Sequence, residues 1–261
     1  MGSAIVLGAV RAGIVARENV LIAEPDVEKR ESFAAHSLAC VSSAAIGLDW
    51  GHSHNALVLL AVKPQILPLL AADCETSFAA SGKTIISILA GTPIAKLALL
   101  LGSHHHFIRA MPNLPASIGL GTTALSIAGS MNHPHDSFAK TLFSAIGHTV
   151  VPLPESLFDA FTAVAGSGPA YLFYLAESMQ RAAVVQGFDP AIAAIITRST
   201  LLGAATLLSQ SSDDAATLRQ KVTSKGGTTE AAIRAFDSLS VSQSIERGIA
   251  AATERGRELS R

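Results

Sequence analysis

Cysteine is scarce in this chain, which has only Cys40 and Cys74 among 261 residues. Two thiols supply no disulfide framework, and a reducing, cytoplasmic compartment is expected rather than a secreted scaffold. Charge is thin as well: 15% of residues carry it, and 19 Lys and Arg face 20 Asp and Glu. A chain so close to neutral lacks the broad positive footprint that nucleic acid requires, so any ligand must be gripped locally. Uninterrupted apolar runs are missing too, despite a mean hydropathy of +0.41. The run over 55–74 is cut by Lys63, Pro64, Gln65 and Pro68, and that over 191–208 by Arg198, whereas a membrane span needs about 20 mostly apolar residues. The opening MGSAIVLGAVRAGIVAREN has no basic segment ahead of its apolar residues, which argues against a secretory signal. Val6 stands where a myristoylation motif has Ser or Thr.

What is present is apolar bulk, 49% of the chain, enough to fold one large or two modest domains. From residue 20 to about 153, Val-, Ile- and Leu-rich runs alternate with stretches of helical period, the pattern of a parallel sheet under crossover helices. Strands are expected at 20–24, 56–62, 84–89, 107–110, 122–127 and 149–151. Helices are expected at 27–36, 64–72, 93–101 and 134–146, several opened by Pro or Asp. After Pro154 strand character ends and helical stretches follow one another at 156–165, 169–185, 190–209, 215–223, 228–239 and 242–258. The fold class is therefore α/β followed by all-α, with domains at 1–154 and 155–261. The stretches 169–185 and 190–209 are apolar around most of their circumference, and a partner chain is expected to cover them.

Three segments offer backbone for close approach to a ligand. Residues 59–65, LLAVKPQ, are a buried strand stopping abruptly at Lys63-Pro64, and in open parallel sheets ligands lie beyond such carboxyl ends. An ordinary strand end with a solvated lysine reads the same way. Residues 166–171, GSGPAY, and 222–230, VTSKGGTTE, each set glycines and hydroxyls at a helix start, where backbone N–H groups can meet an anion. Either alone is also a plain helix break; the pair in one helical half points to a carboxylate or phosphate cradle. Glu230 is placed to complement the helix dipole.

Together with ISILAG at 86–91, RAMPNLP at 109–115, residues 119–126, TAVAGSGPAY at 162–171 and the closing residues 251–259, these segments resemble the pyrroline-5-carboxylate reductase family. The resemblance implies a Rossmann domain binding NADP or NAD, then a helical domain that dimerises by interdigitation, with dimers assembling into rings of five. It implies reduction of 1-pyrroline-5-carboxylate to proline, the last step of proline biosynthesis. Carried over by position, Ala61, Val62, Lys63, Pro64, Ala90, Gly91, Met111 and Asn113 flank the nicotinamide and its ribose. Gly226, Gly227, Thr228 and Thr229 bind the substrate carboxylate, with Gly166, Ser167, Gly168 and Pro169 as the facing wall. Thr229 is the implied partner of the ring nitrogen; a helix N-cap is its alternative role.

The family pattern is not matched everywhere. Lys225 replaces a common Pro, and Leu114 a small residue or Thr. Family members open with a strand and a Gly-x-Gly-Asn-Met turn, whereas residues 1–8 align with the Met of that turn and the helix after it, so the first strand and its glycines are expected to be missing and the dinucleotide to bind weakly. The rival alignment makes 8–13, GAVRAG, the fingerprint and 4–7 the strand, but Val10 would then put a Cβ where backbone must approach the pyrophosphate. Glu24, at the end of the second family strand, favours NADH by accepting from ribose hydroxyls, while the resemblance favours NADPH; both stay open. The histidines at 104–106 with His133 and His135 invite a metal reading, but consecutive residues at a strand entrance diverge, and no metal is expected. Other readings are a related imine or β-hydroxyacid reductase, and a non-catalytic chain that only assembles through its helices.

Overall fold

The computed structural model describes residues 1–53, 56–80, 82–127 and 134–260. They form two compact units, one of residues 1–166 with 252–260, the other Ser167–Ala251. Strand structure ends at Pro152, close to the division expected at 154, while the compact units part later, at Gly166.

In the first unit the order is α1 (Gly2–Arg11), β1 (Leu21–Ala23), α2 (Val27–Ala34), β2 (Ala39–Val41), α3 (Ala44–Ser53), β3 (Val58–Leu60), α4 (Leu67–Asp73), α5 (Glu75–Ala79), β4 (Thr84–Ser87), α6 (Ile94–Leu101), β5 (His106–Pro112), β6 (Thr122–Ile127), α7 (Pro134–Ser144), β7 (Thr149–Pro152) and α8 (Phe158–Phe161). Two sheets result: β1 pairs in parallel with β2, and β3-β4-β5-β6-β7 make a second sheet. Its first three strands are parallel to each other. The β5–β6 pairing is antiparallel, a departure from the all-parallel expectation. Residues 113–121 are too short for a crossover, which takes about a dozen residues, so the chain turns back through the 3₁₀ turn Leu114–Ile118.

Residue alternation in the strands builds the core. Ile86 and Ile108 face α1 and α7, packing with Ile5, Ala9, Ala139 and Phe143. Their neighbours Ile85 and Phe107 face the other way, against Leu67, Phe78, Leu97 and Leu101. Both faces of β4 and β5 are thus covered, which is why apolar residues stand side by side in them, Ile85-Ile86 and Phe107-Ile108, instead of alternating with polar ones. The helix over 2–11 settles the rival alignment, since residues 4–7 are helical rather than extended. Asp26 caps α2 by accepting from the Lys29 N–H. Strand β2, only three residues with Ala, Cys and Val, was absent from the expectation. The single helix expected over 156–165 is instead a 3₁₀ turn (Glu155–Leu157), α8, and a π-helical turn (Thr162–Gly166).

The second unit holds α9 (Gly168–Val185), α10 (Pro190–Gln210), α11 (Ala215–Lys221), α12 (Thr228–Ser238) and the first half of α13 (Val241–Ser260), whose last turns belong to the first unit. Asp189 and Asp214 cap α10 and α11 through their carboxylates. Helices α9 and α10 pack on one another, yet Phe173, Tyr174, Val185, Ile195 and Leu202 are more than half exposed. By length and composition α10 could cross a membrane. So much uncovered apolar surface marks an interaction face.

Candidate functional site

In the first unit the residues expected to flank the nicotinamide gather at one edge. Ala61, Val62, Lys63 and Pro64 follow β3, Ala90 and Gly91 lie just beyond β4, and Met111 and Asn113 close β5. Because β3, β4 and β5 are adjacent and parallel, these three segments share the carboxyl edge where open α/β sheets take ligands. Helix α1 begins at the same edge: a Cβ on Gly2 would stand 2.9 Å from that of Ala61. Its N-cap, Met1, makes no side-chain capping bond.

The loop after β4 is held tightly. Gly91 takes φ +61°, a conformation that glycine alone adopts freely. Thr92 is buried and donates its hydroxyl to the Ala90 carbonyl at 3.3 Å, and the Ile94 N–H at the start of α6 reaches the Glu155 carboxylate at 2.8 Å. That carboxylate also accepts from Arg109 Nη1 at 3.0 Å, and the Arg109 guanidinium lies 4.7 Å from the centre of the Phe158 ring.

Asn113 is buried with its amide already engaged. Nδ2 donates to the Ala165 carbonyl at 3.0 Å, and Oδ1 accepts from the Thr122 N–H at 2.9 Å. It therefore ties β6 to the turn before Gly166, where the Met111 methyl would lie 3.3 Å from a Cβ on Gly166. Glu24 follows β1, and its Oε1 accepts from the Asp26 N–H at 3.1 Å. Beside it Arg30, which the sequence reading passed over, donates to the carbonyls of Glu24 and Pro25 at 2.8 and 2.7 Å. A carboxylate and a guanidinium thus stand at one turn. With the uncapped α1 and the positive-φ Gly91, these residues fit a nicotinamide dinucleotide.

In the second unit, Ser167 is the N-cap of α9 with Pro169 in the first turn, and its hydroxyl makes no capping bond. At α12 the N-cap is Gly227. Thr229 consequently sits inside the helix, and its alternative role as cap falls away. Glu230 reaches back to the Gly226 N–H at 2.6 Å and holds Arg234 at 2.9 Å, while the Gly227 N–H donates to the Ser224 carbonyl at 3.0 Å. Two of the four expected backbone donors are thus spent on the turn. The N–H groups of Thr228 and Thr229, at the first two helical positions, precede any intrahelical acceptor and remain for an anion.

The histidines take different partners, although the rings of His104 and His105 lie only 4.1 Å apart centre to centre, closer than divergence at a strand entrance implied. His104 Nε2 meets the Phe78 carbonyl at 3.1 Å, His106 Nε2 meets Asp136 at 2.7 Å, and His135 Nδ1 meets Thr84 at 2.7 Å. His105 accepts from the Lys83 N–H at 3.1 Å through Nδ1, which makes Nε2 the donor to the Leu101 carbonyl at 2.9 Å. Burial first, then neighbouring His104, pushes the His105 pKa down. Burial likewise lowers that of Lys83, whose Nζ has no hydrogen-bond partner among the described residues. No three His, Cys, Asp or Glu among the described residues group as metal ligands, and His133 lies outside those residues.

A sequence profile for pyrroline-5-carboxylate reductase dimerisation matches residues 155–259, and one for NADP oxidoreductase, coenzyme F420-dependent, matches residues 1–91. The chain is 36% identical to a pyrroline-5-carboxylate reductase of Haemophilus influenzae, over 99% of this chain and 94% of that one. It is 35% identical to one of Synechocystis over the same shares. Among solved structures, a pyrroline-5-carboxylate reductase from Coxiella burnetii aligns with TM-score 0.87 at 28% identity, covering 100% of this chain and 95% of that one. A Plasmodium falciparum pyrroline carboxylate reductase with NADP bound aligns at 0.85, 24% identity and the same coverage, a likeness of fold.

Proposed function

The chain belongs to the pyrroline-5-carboxylate reductase family, and from that premise we propose that it reduces 1-pyrroline-5-carboxylate to L-proline with NADPH or NADH, the final step of proline biosynthesis. The observation that carries this reading is likeness to named reductases along nearly the whole of both chains. It is supported by the three parallel strand ends that place residues 61–64, 90–91 and 111–113 on one edge.

When bound, the cofactor supplies a hydride from C4 of its reduced nicotinamide to the C=N carbon of the protonated imine, leaving the secondary amine of proline. The protein's part is positioning and exclusion of water. Residues 1–154 form the dinucleotide-binding domain: Ala61, Val62, Lys63, Pro64, Ala90, Gly91 and Met111 flank the nicotinamide and its ribose, Asn113 fixes the end of β5 beneath them, and Glu24 takes the adenosine ribose. Residues 155–261 form the dimerisation and substrate domain. There the N–H groups and hydroxyls of Thr228 and Thr229 hold the carboxylate in a turn shaped by Gly226 and Gly227, and Gly166, Ser167, Gly168 and Pro169 wall the ring. The Thr229 hydroxyl hydrogen-bonds the ring nitrogen and relays its proton. Such a bond to an iminium needs little pKa tuning, so no acid–base pair is required.

A second copy of the chain, rather than lipid, covers α9 and α10, and dimers assemble further into decamers in the cytoplasm, with no role for nucleic acid. The test is a substrate panel: oxidation of NADPH or NADH driven by 1-pyrroline-5-carboxylate, in preference to other cyclic imines or β-hydroxyacids, supports the reading. Oxidation driven better by one of the others refutes it.

A further inference from the structure

The last turns of α13 return to the first unit and end against the loop beyond β4. A Cβ on Gly91 would meet Leu259 three times over, at 3.1 Å from its Cβ, 3.3 Å from its carbonyl oxygen and 3.4 Å from its carbonyl carbon. One residue on, Ser260 donates its hydroxyl to Asp159 Oδ1 at 3.0 Å. One helical turn earlier, a Cβ on Gly256 would stand 3.1 Å from the Asp159 Cβ. The helix end is therefore seated on α8 by the Ser260–Asp159 bond and the close approach of Gly256, and this leaves Leu259 where any side chain on Gly91 would strike it.

The same loop is pinned at its far side, where Glu155 takes the Ile94 N–H at 2.8 Å. Residues 90–93 thus run between two fixed points, Leu259 before and Glu155 after. A loop with few contacts of its own samples many conformations, and bracing it at both ends sets the geometry of any group it presents. The contact to Leu259 is made by main-chain atoms and Cβ, so it depends on where the helix end lies rather than on the leucine's exposed tip.

We propose that the last turn of α13 is a positioning clamp on residues 90–93, and that Leu259 and Ser260 are positioning residues for hydride transfer. This rests on the reading that Ala90 and Gly91 flank the nicotinamide. Removing the clamp frees the loop, so the nicotinamide ring is held less well against the substrate; misplacement on the scale of an ångström costs about 100-fold in rate.

The test compares four proteins: the unaltered chain, one ending at Glu258, Gly91→Ala, and the two changes combined. Each is measured for its NADPH dissociation constant, for KM and kcat, and for helicity, thermal midpoint and sedimentation. Ending the chain at Glu258 is expected to weaken NADPH binding and lower kcat/KM by about 10- to 100-fold with helicity and association intact. Gly91→Ala is expected to be harmful in the unaltered chain and several-fold less harmful once Leu259 is gone, because the atoms its Cβ would strike are then absent. Ser260→Ala serves as a milder variant, with a smaller loss in the same direction. If the effects of Gly91→Ala and of ending at Glu258 simply multiply, or if the shortened chain keeps its NADPH affinity and kcat/KM, the clamp is refuted while the functional reading stands. If the unaltered protein neither binds NADPH nor oxidises it with 1-pyrroline-5-carboxylate, the functional reading fails and the clamp with it.

Discussion

Replacing Glu155 by Ala removes two bonds at once, and their sum can be worked from the geometry. The Arg109 side chain is 5% exposed and that of Glu155 31%. Breaking a fully buried pair by deleting one partner costs about 3–5 kcal/mol, mostly the stranded charge. Here water reaches the site from the Glu155 side and the guanidinium keeps its stacking on buried Phe158, so the cost falls to about 1–3 kcal/mol. The orphaned Ile94 N–H adds about 1 kcal/mol, giving a total of about 2–4 kcal/mol. Glu155→Gln keeps an acceptor for Ile94 and a neutral bond to Arg109, and should lose about half as much. Urea unfolding followed by fluorescence and circular dichroism, at one protein concentration because association contributes, reads both values. A Glu155→Ala loss below about 0.5 kcal/mol, as for an exposed ion pair, would refute the reasoning.

Three other outcomes follow from single residues. Lys83→Met should raise the thermal midpoint, because the buried Nζ has no partner and its removal gains about 1–3 kcal/mol; an unchanged or lower midpoint in calorimetry contradicts this. His105 is held below its ordinary pKa of 6.5, so the unfolded chain binds the proton more tightly. Stability is then full above 6.5 and falls as pH drops from there towards the native pKa; His105→Asn should flatten that part of the profile of midpoint against pH, and an unaltered slope would clear His105 of the role. Thr229→Ala should lower turnover by about 10- to 1,000-fold with NADPH affinity unchanged, and an unchanged kcat would leave Thr229 without a catalytic part.

What could be read from the sequence was whatever repeats with a period. Ile85-Ile86 and Phe107-Ile108 announce strands covered on both faces, and the strand 122–127 was located to the residue. Ala39-Cys40-Val41 has too few residues to show any period, and it becomes a strand only because β1 lies alongside. The antiparallel β6 was concealed for a similar reason: its direction depends on the length of the connection before it, not on its own side chains. At the site, sequence placed residues 61–64 and 90–91 at strand ends but could not show that Glu230 consumes the Gly226 N–H or that Asn113 is engaged on both sides. Arg109 lay within a motif already singled out, yet its partner Glu155 is 46 residues away, and Leu259 is farther still from Gly91. Contacts of that separation leave no local pattern.

The most direct test of the proposed chemistry uses the protein with NADPH carrying deuterium at C4 of the nicotinamide and 1-pyrroline-5-carboxylate as substrate. Mass spectrometry and NMR of the product should show proline labelled at the carbon that was double-bonded to nitrogen, formed at about 1 to 1,000 turnovers per second. Protein that binds NADPH but forms no proline, or forms proline with hydrogen from solvent at that carbon, would contradict it.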